Sequence, residues 1–225
     1  MIQSTSASTT MGAPALTERY ITKRLAKARE TKTPASDIYP LLPGTPRTAA
    51  VLVPLFHLSQ QDKKDHTWQV LLTRRTNNVA DHQGQVAFPG GSVEPVDTSL
   101  EMTALREAKE EVGLEPSQVR VLGRMNSLWT ISNYMVTPIV GVIPWPFHIQ
   151  LEEIEVSRVF WIPLDWLADP GHHEVRYRNI PSPYAEILGR EFQPVIYFQP
   201  YQDELLWGVS AEITLRLINI LFSHK

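Results

Sequence analysis

The stretch Arg106–Gly113, which reads REAKEEVG, places three glutamates within five residues. An α-helix turns about 100° per residue, so Glu107, Glu110 and Glu111 share one face of a helix at this position. The opposite face is apolar and consists of Met102, Leu105, Ala108 and Val112. Like charges at this spacing cost roughly 0.2–0.5 kcal/mol per pair, so the pattern indicates that something offsets the repulsion.

Two explanations account for the crowded carboxylates. The simpler one is a solvated face with Arg106 and Lys109 as counter-charges. The other is a bound divalent cation, because Mg²⁺ and Mn²⁺ prefer oxygen ligands and are typically held by one or two carboxylates together with substrate phosphates. Such a cation would also lower the pKa of a water molecule that attacks phosphorus. The second explanation predicts phosphate chemistry.

Composition excludes several other classes of function. The chain has 225 residues, 43% of them hydrophobic, which is enough for one domain with a buried core. A net charge of -3 without a basic stripe argues against nucleic-acid binding. No apolar run reaches the roughly 20 residues that span a bilayer, and no signal-peptide core is present, so we expect a cytoplasmic protein without membrane contact. The absence of cysteine excludes thiolate chemistry and fits a reducing compartment.

Patterning divides the chain into three parts. Residues 1–16 predict a disordered tail, residues 17–46 a short helix (17–29) and a Pro-rich linker, and residues 47–225 the main domain. Strands are predicted at 49–55, 68–73, 119–123, 136–142 and 159–162, and helices at 98–113 and 210–222. A capping box at Thr98–Glu101 would open the acidic helix and Gly113 would close it. Residues 169–193 predict an irregular segment. This mixture indicates an α/β or α+β fold.

A known motif matches the acidic helix and the residues before it. Gly91, five residues, Asp97, eight residues and then Arg106–Leu114 (REAKEEVGL) closely resemble the Nudix box of the Nudix hydrolases. The family pattern has glutamate where Asp97 stands and a spacer one residue shorter. The resemblance implies a Nudix-fold α/β/α sandwich with a mixed β-sheet, Mg²⁺ or Mn²⁺ as cofactor, and hydrolysis of a nucleoside diphosphate derivative.

A second resemblance extends upstream of that motif. Leu71–Thr76 (LLTRRT), Gly84–Gly91 (GQVAFPGG) and the Val93–Asp97 turn look like the signature of the coenzyme A pyrophosphatases, a Nudix subgroup in which the longer spacer and the aspartate are familiar. That subgroup usually carries an arginine in the loop where this chain has Asn77–Asp81 (NNVAD). The resemblance covers most of residues 49–222. It implies that coenzyme A or an acyl derivative is hydrolysed to 3′,5′-ADP and 4′-phosphopantetheine.

Two alternatives to this substrate remain. One is a Nudix hydrolase acting on ADP-ribose, NADH or a nucleoside triphosphate. The other is a catalytically silent Nudix-fold binding module, which ought to have lost one or more glutamates of the motif, whereas all three are present here. A homodimer is left open.

By resemblance, Glu107, Glu110 and Glu111 would bind the metal, and Glu107 or Glu110 could also orient the attacking water. Arg106 would pair with Glu110 or Asp97 to fix the ligand rotamers. Glu155 is the candidate for an additional ligand or base on a distant loop, with Glu152 and Glu153 behind it; a solvated acidic loop is the simpler alternative.

Candidate substrate contacts complete the prediction. Gly90 and Gly91 would allow close approach of the metal or diphosphate, or simply form a tight turn. Arg75 and Gln85 would contact the substrate, although Arg75 could instead pair with an acid. Metal binding is disfavoured at three histidines that lack a metal-site spacing, His82, His172 and His173. We expect two aromatic residues, Trp129 and Tyr134, to pack in the core rather than to stack on an adenine.

Overall fold

A computed structural model describes residues 16–30, 44–58, 67–77 and 83–223. Within these residues the helices are α1 (Glu18–Glu30), α2 (Leu100–Val112), α3 (Leu164–Ala168), α4 (Tyr184–Leu188) and α5 (Gly208–Phe222). The strands are β1 (Arg47–Leu58), β2 (Thr67–Arg75), β3 (Val86–Ala87), β4 (Gly90–Ser92), β5 (Arg120–Arg124), β6 (Leu128–Trp129), β7 (Tyr134–Val142), β8 (Val156–Pro163), β9 (His173–Asn179) and β10 (Phe192–Phe198). Each strand and helix expected from the sequence is present, within a few residues of its predicted bounds.

A mixed sheet forms the centre of the domain. Its central order is β3-β2-β1-β7-β5, with β4 paired to β1, β6 to β7 and β8 to β2. Strand β1 runs parallel to β7 and antiparallel to β2 and β4. Alternate side chains of β1 enter two hydrophobic clusters on opposite faces of the sheet, as expected for a strand that is covered on both faces.

Helices cover both faces of this sheet. Helix α2 packs on one face through Ala104, Ala108 and Val112, which are fully buried. Helices α1 and α5 contribute side chains to the cluster on the other face, as do Leu164 and Leu167 of α3. The predicted α/β/α sandwich is therefore confirmed.

The first and last helices of the described chain contact each other. The Tyr20 hydroxyl donates to the Leu221 carbonyl at 3.0 Å, and Arg24 donates to the Ser223 carbonyl at 2.7 Å. Ile21 is fully buried in the main core. Leu16, which was assigned to the disordered tail, packs against this core and accepts a hydrogen bond from the Trp68 indole. The rest of the predicted tail, residues 1–15, lies outside the described residues, as do residues 31–43 of the predicted linker.

The prediction of an irregular segment at 169–193 is wrong. Strands β9 and β10 form a separate two-stranded antiparallel sheet, with α4 in the connection between them. The helix that interrupts the connection, together with the prolines at 170, 181 and 183, hid the pairing, because hairpin patterns are recognised by short turns.

Two local predictions for α2 are also wrong. Its N-cap is Ser99, whose hydroxyl accepts from the Met102 N–H at 3.1 Å, so the capping box at Thr98–Glu101 does not form. The buried face is rotated toward the glutamates: Met102 is 42% exposed, whereas Glu111 is 4% exposed. The small side chains of Ala104 and Ala108 allow close packing on the sheet, and this draws Glu111 inward. The predicted C-terminal glycine is confirmed, because Gly113 adopts φ 76°.

Candidate active site

Glu107 lies directly against the glycine turn that precedes α2. A Cβ atom added to Gly91 would lie 2.4 Å from the Glu107 carboxylate, so only glycine leaves room for this side chain in its present position. Burial raises the pKa of Glu107, while the neighbouring Arg106 lowers it. Gly91 therefore allows the close approach of a glutamate of its own chain, while the approach of the metal or diphosphate stays a prediction.

Arg106 connects α2 to the loop before it. Its guanidinium donates two hydrogen bonds to the Asp97 carboxylate, at 3.0 and 3.1 Å, and one to the Ser92 carbonyl at 3.1 Å. It also pairs with Glu107 at 2.9 Å and with Glu110 at 2.8 Å. The guanidinium thus contacts both of its predicted partners and fixes two of the three glutamates. The contact with Ser92 was not predicted, because every residue has a backbone carbonyl and the sequence does not indicate which one accepts.

The Asp97–Arg106 pair should make stability depend on acid pH. The Arg106 hydrogen bonds hold the pKa of Asp97 at about 2, below the value of about 3.9 for an unfolded chain. A depressed folded-state pKa adds stability above the unfolded value, and this stability is lost as pH falls toward 2. Urea unfolding between pH 5 and 2.5 should show a steeper loss for the parent protein than for Asp97→Asn. Parallel curves would contradict the role of this pair.

Glu111 is buried between the glycine turn and Arg75. Its side chain is 6% exposed, and its nearest cation is the Arg75 guanidinium, at 3.9 Å. Burial raises the pKa of Glu111 to about 8, with further upward contributions from Glu107 and Glu155. Arg75 and a hydrogen bond from the Gly90 backbone oppose this increase in pKa. A carboxylate placed in this way gains most from a nearby cation.

Glu155 lies at the end of the loop that leads into β8, beside the same arginine. Its carboxylate is 3.7 Å from the Arg75 guanidinium and 47% exposed. The loop is tied to α2, because the Glu152 N–H donates to the Glu111 carbonyl at 3.1 Å. Glu155 also raises the pKa of Glu107. The fold therefore brings Glu155 to the helix glutamates, and Glu153 belongs to the same turn.

The arrangement of these side chains fits a divalent cation. Glu107 and Glu111 are both largely buried; burial raises the pKa of each, and neighbouring carboxylates raise it further. In the part of the chain that the structure describes, no three carboxylate or imidazole groups converge in a preformed cluster. Instead, Arg106 holds Glu110. The oxygen donor set suits Mg²⁺ or Mn²⁺.

The remaining candidates divide between the site and the rest of the fold. The Gln85 carbonyl accepts from the Arg75 N–H at 2.9 Å, so Gln85 lies beside the site. His172 stacks on Trp166 and bonds to its carbonyl, and the ring of His173 lies near Phe198. Neither histidine belongs to a metal cluster among the described residues, and His82 lies outside them.

Tyr134 lies in β7 and Trp129 in β6, strands that carry none of the candidate glutamates. The Tyr134 hydroxyl accepts from Arg47 at 3.2 Å, and its ring packs against the main core. Trp129 is partly buried in β6. For Arg75, the structure favours the alternative of pairing with acids, since its guanidinium faces Glu111 and Glu155. A charge pattern in the sequence could not show this, because the two carboxylates are 44 residues apart.

Comparisons with known proteins identify similar sequences and structures. A family model described as the NUDIX domain matches residues 46–182. An uncharacterized Nudix hydrolase, NudL of Photorhabdus laumondii, is 38% identical over 172 residues, which cover 76% of this chain and 83% of the relative. NudL of Escherichia coli O6:H1 is 37% identical over 171 residues, 76% of this chain and 81% of the relative. The crystal structure of a MutT/nudix family protein from Enterococcus faecalis covers 90% of this chain and 71% of its own, with 17% identity and a TM-score of 0.49.

Among the described residues, no helix is long and apolar enough to cross a membrane. The family model spans more than half of the chain, and the NudL relatives match on both sides of the acidic helix. The chain therefore belongs to the Nudix hydrolases, a family that generally requires divalent metal ions.

Proposed function

We propose that the substrate is coenzyme A or an acyl-coenzyme A, and that the products are 3′,5′-ADP and 4′-phosphopantetheine. The observation that carries this proposal is the position of the segment Gln85–Gly91. Gln85 bonds to Arg75, Gly90 to Glu111, and Gly91 lies against Glu107. The part of the chain that resembles the coenzyme A pyrophosphatases therefore lies beside the glutamates, where it can contact substrate.

The reaction is the hydrolysis of a phosphoanhydride. A water oxygen forms a new bond to one phosphorus, the bond from that phosphorus to the bridging oxygen breaks, and the bridging oxygen leaves with the other phosphate. The water gives one proton to a base. Glu107 and Glu155 are the candidates for this base, because both adjoin the site and burial raises the pKa of Glu107.

Mg²⁺ or Mn²⁺, when bound, would screen the diphosphate charge and lower the pKa of the attacking water. Glu107, Glu110 and Glu111 are the residues that would hold it. Asp97 holds the Arg106 guanidinium by accepting two hydrogen bonds, and Arg106 in turn pairs directly with Glu107 and Glu110. Arg75 provides a positive charge at the opposite edge of the site, beside Glu111 and Glu155.

A substrate panel tests the proposal directly. Purified protein with Mg²⁺ or Mn²⁺ would be incubated with coenzyme A, acetyl-coenzyme A, ADP-ribose, NADH and nucleoside triphosphates, and the products resolved by mass. We expect 3′,5′-ADP from the coenzyme A compounds only. Turnover of ADP-ribose or NADH instead would support the hydrolase chemistry and refute coenzyme A as the substrate. Silence across the panel would favour a binding module.

The cation should also stabilise the folded protein. A ligand that binds only the native state adds RT ln(1 + [L]/Kd), about 2.7 kcal/mol at a hundredfold excess over Kd. We therefore expect Mg²⁺ to raise the melting temperature of the parent protein by several degrees, measured by calorimetry without substrate. The control is K⁺ at equal ionic strength. An equal effect of both salts would contradict a specific site.

A further inference from the structure

The small β9–β10 sheet exposes an apolar face. Residues opposite each other in an antiparallel pair point to the same side. The register Ile196↔Val175 and Pro194↔Tyr177 thus places these four side chains on one side. Val175 is 54% exposed and Tyr177 73% exposed, with Phe192 nearby at 52%. Three large apolar side chains exposed on two short strands mark a surface that a partner could cover.

Strand β9 is also an edge. Within the described residues it pairs only with β10. The Ile180 N–H donates to the Glu191 carbonyl, and the Gln199 N–H donates to the His172 carbonyl. Even-numbered residues of β9 therefore bond inward to β10. The backbone groups of odd-numbered residues, including Val175 and Tyr177, point away from β10 and are placed to receive another strand.

The sequence of β9, HEVRYRN, fits a second copy of itself in one antiparallel register. Pairing centred on Val175 places Glu174 opposite Arg176 of the other copy, twice. Centring on Arg176 or Tyr177 would place arginines opposite each other, and centring on Glu174 would oppose two glutamates. Opposite charges across strands stabilise a pair and like charges destabilise it. Only the Val175-centred register of these four avoids a like-charge pair.

We propose that two copies of this chain associate through β9, forming a four-stranded antiparallel sheet with Val175 at the two-fold axis. Glu174 already pairs with Arg176 of its own strand, at 2.7 Å, and in the dimer it lies between two arginines. The apolar faces join into one surface in which Val175 meets its own copy and Tyr177 meets His173 of the second copy. The pairing joins backbone groups that the hairpin alone leaves facing outward.

Disulfide trapping tests both the dimer and its register. The chain has no cysteine, so a single introduced cysteine gives an unambiguous cross-link. In the proposed register the two Cα atoms at position 175 are about 5.5 Å apart, within the range of a disulfide. The two Cα atoms at position 177 are offset by four residues along the strands and are therefore roughly 13 Å apart. We expect Val175→Cys to form a covalent dimer under mild oxidation, and Tyr177→Cys to remain monomeric.

The control is stringent because Tyr177 is the more exposed position, so random collision would favour Tyr177→Cys. Cross-linking of both variants, of neither, or of Tyr177→Cys alone would overturn the proposed register.

Charge reversal gives an independent readout by sedimentation velocity. Glu174→Arg should weaken association by about tenfold or more, and the double variant Glu174→Arg, Arg176→Glu should restore it, because both pairs re-form with reversed polarity. Glu115→Arg, an exposed charge reversal away from β9, should leave association unchanged. A monomeric parent protein at high micromolar concentration, or a double variant no better than Glu174→Arg, would refute the proposal.

Discussion

Glu111→Gln should reduce kcat by at least about 10²–10³-fold, the loss typical when one group that stabilises transition-state charge is removed, while the fold stays as stable as the parent or becomes more stable. Glutamine has nearly the same shape and stays neutral. Glu111 is buried at 6% side-chain exposure, and burial raises its pKa to about 8. The buried site thus penalises the ionised form that a metal ligand requires.

The pH dependence gives this prediction a second readout. The pKa of Glu111 in the folded protein lies above the value of about 4.3 in an unfolded chain. Its contribution to stability is therefore complete below that value and is lost as pH rises toward 8. Glu111→Gln should remove this loss, which urea unfolding between pH 5 and 8.5 would detect. The variant should also lose the melting-temperature response to Mg²⁺.

A matched control is Glu153→Gln. Glu153 is an exposed glutamate in the turn before β8, and it makes no described contact with Arg75. It should retain nearly full activity. Parent-like turnover by Glu111→Gln would remove this residue from the metal site. A large loss of stability would show instead that the ionised carboxylate supports the fold.

Alanine at the two adjacent glycines should have opposite consequences. The three atoms nearest to a Cβ at Gly91 all belong to the Glu107 carboxylate, the closest at 2.4 Å, and that flexible side chain can move. Gly91→Ala should therefore fold normally, at a cost of about 1 kcal/mol or less, yet lose roughly 10²-fold in kcat because Glu107 is displaced. Arg106 would hold the displaced carboxylate less well, since it pairs with Glu107 in its present position.

Gly90→Ala should instead damage the fold. Its Cβ would lie 2.5 Å from the Ala50 carbonyl and 2.6 Å from the Val51 Cα, and neither backbone atom can move aside. Gly90 also adopts φ 158°, which side chains rarely tolerate. We expect a loss of at least about 3 kcal/mol, from overpacking and backbone strain together. Urea unfolding and kcat, measured on both variants, separate the two effects. Similar behaviour of the two variants would contradict the geometry of this turn.

The main domain was predictable because its elements carry strong local patterns. The apolar run of β1 and the amphipathic pattern of α2 with its terminal glycine can each be recognised within about a dozen residues, and both elements are present. The β9–β10 pair was missed because its strands are joined by a helix and carry exposed apolar residues. Its pairing depends on contacts between distant residues rather than on periodicity.

The site was predictable in its residue types but not in its burial. The spacing of Glu107, Glu110 and Glu111 places them together on a helix, yet it cannot show that Glu111 turns inward while Glu110 stays 57% exposed. That difference depends on how closely Ala104 and Ala108 approach the sheet. The partnership of Arg75 with Glu111 and Glu155 likewise arises only when β2, α2 and the loop before β8 meet.

The contact between the first and last helices bears on how the chain folds during synthesis. Tyr20 and Leu221 are 201 residues apart in sequence, and Arg24 reaches Ser223 across 199. Ile21 and Leu25 are buried in the same hydrophobic cluster as the apolar side chains of α5. When synthesis has reached the end of α2, the helix α5 that contacts α1 has therefore not yet been made. Because long-range closure slows folding, α1 should complete its packing only after α5 has been synthesised, and its apolar face stays exposed until then.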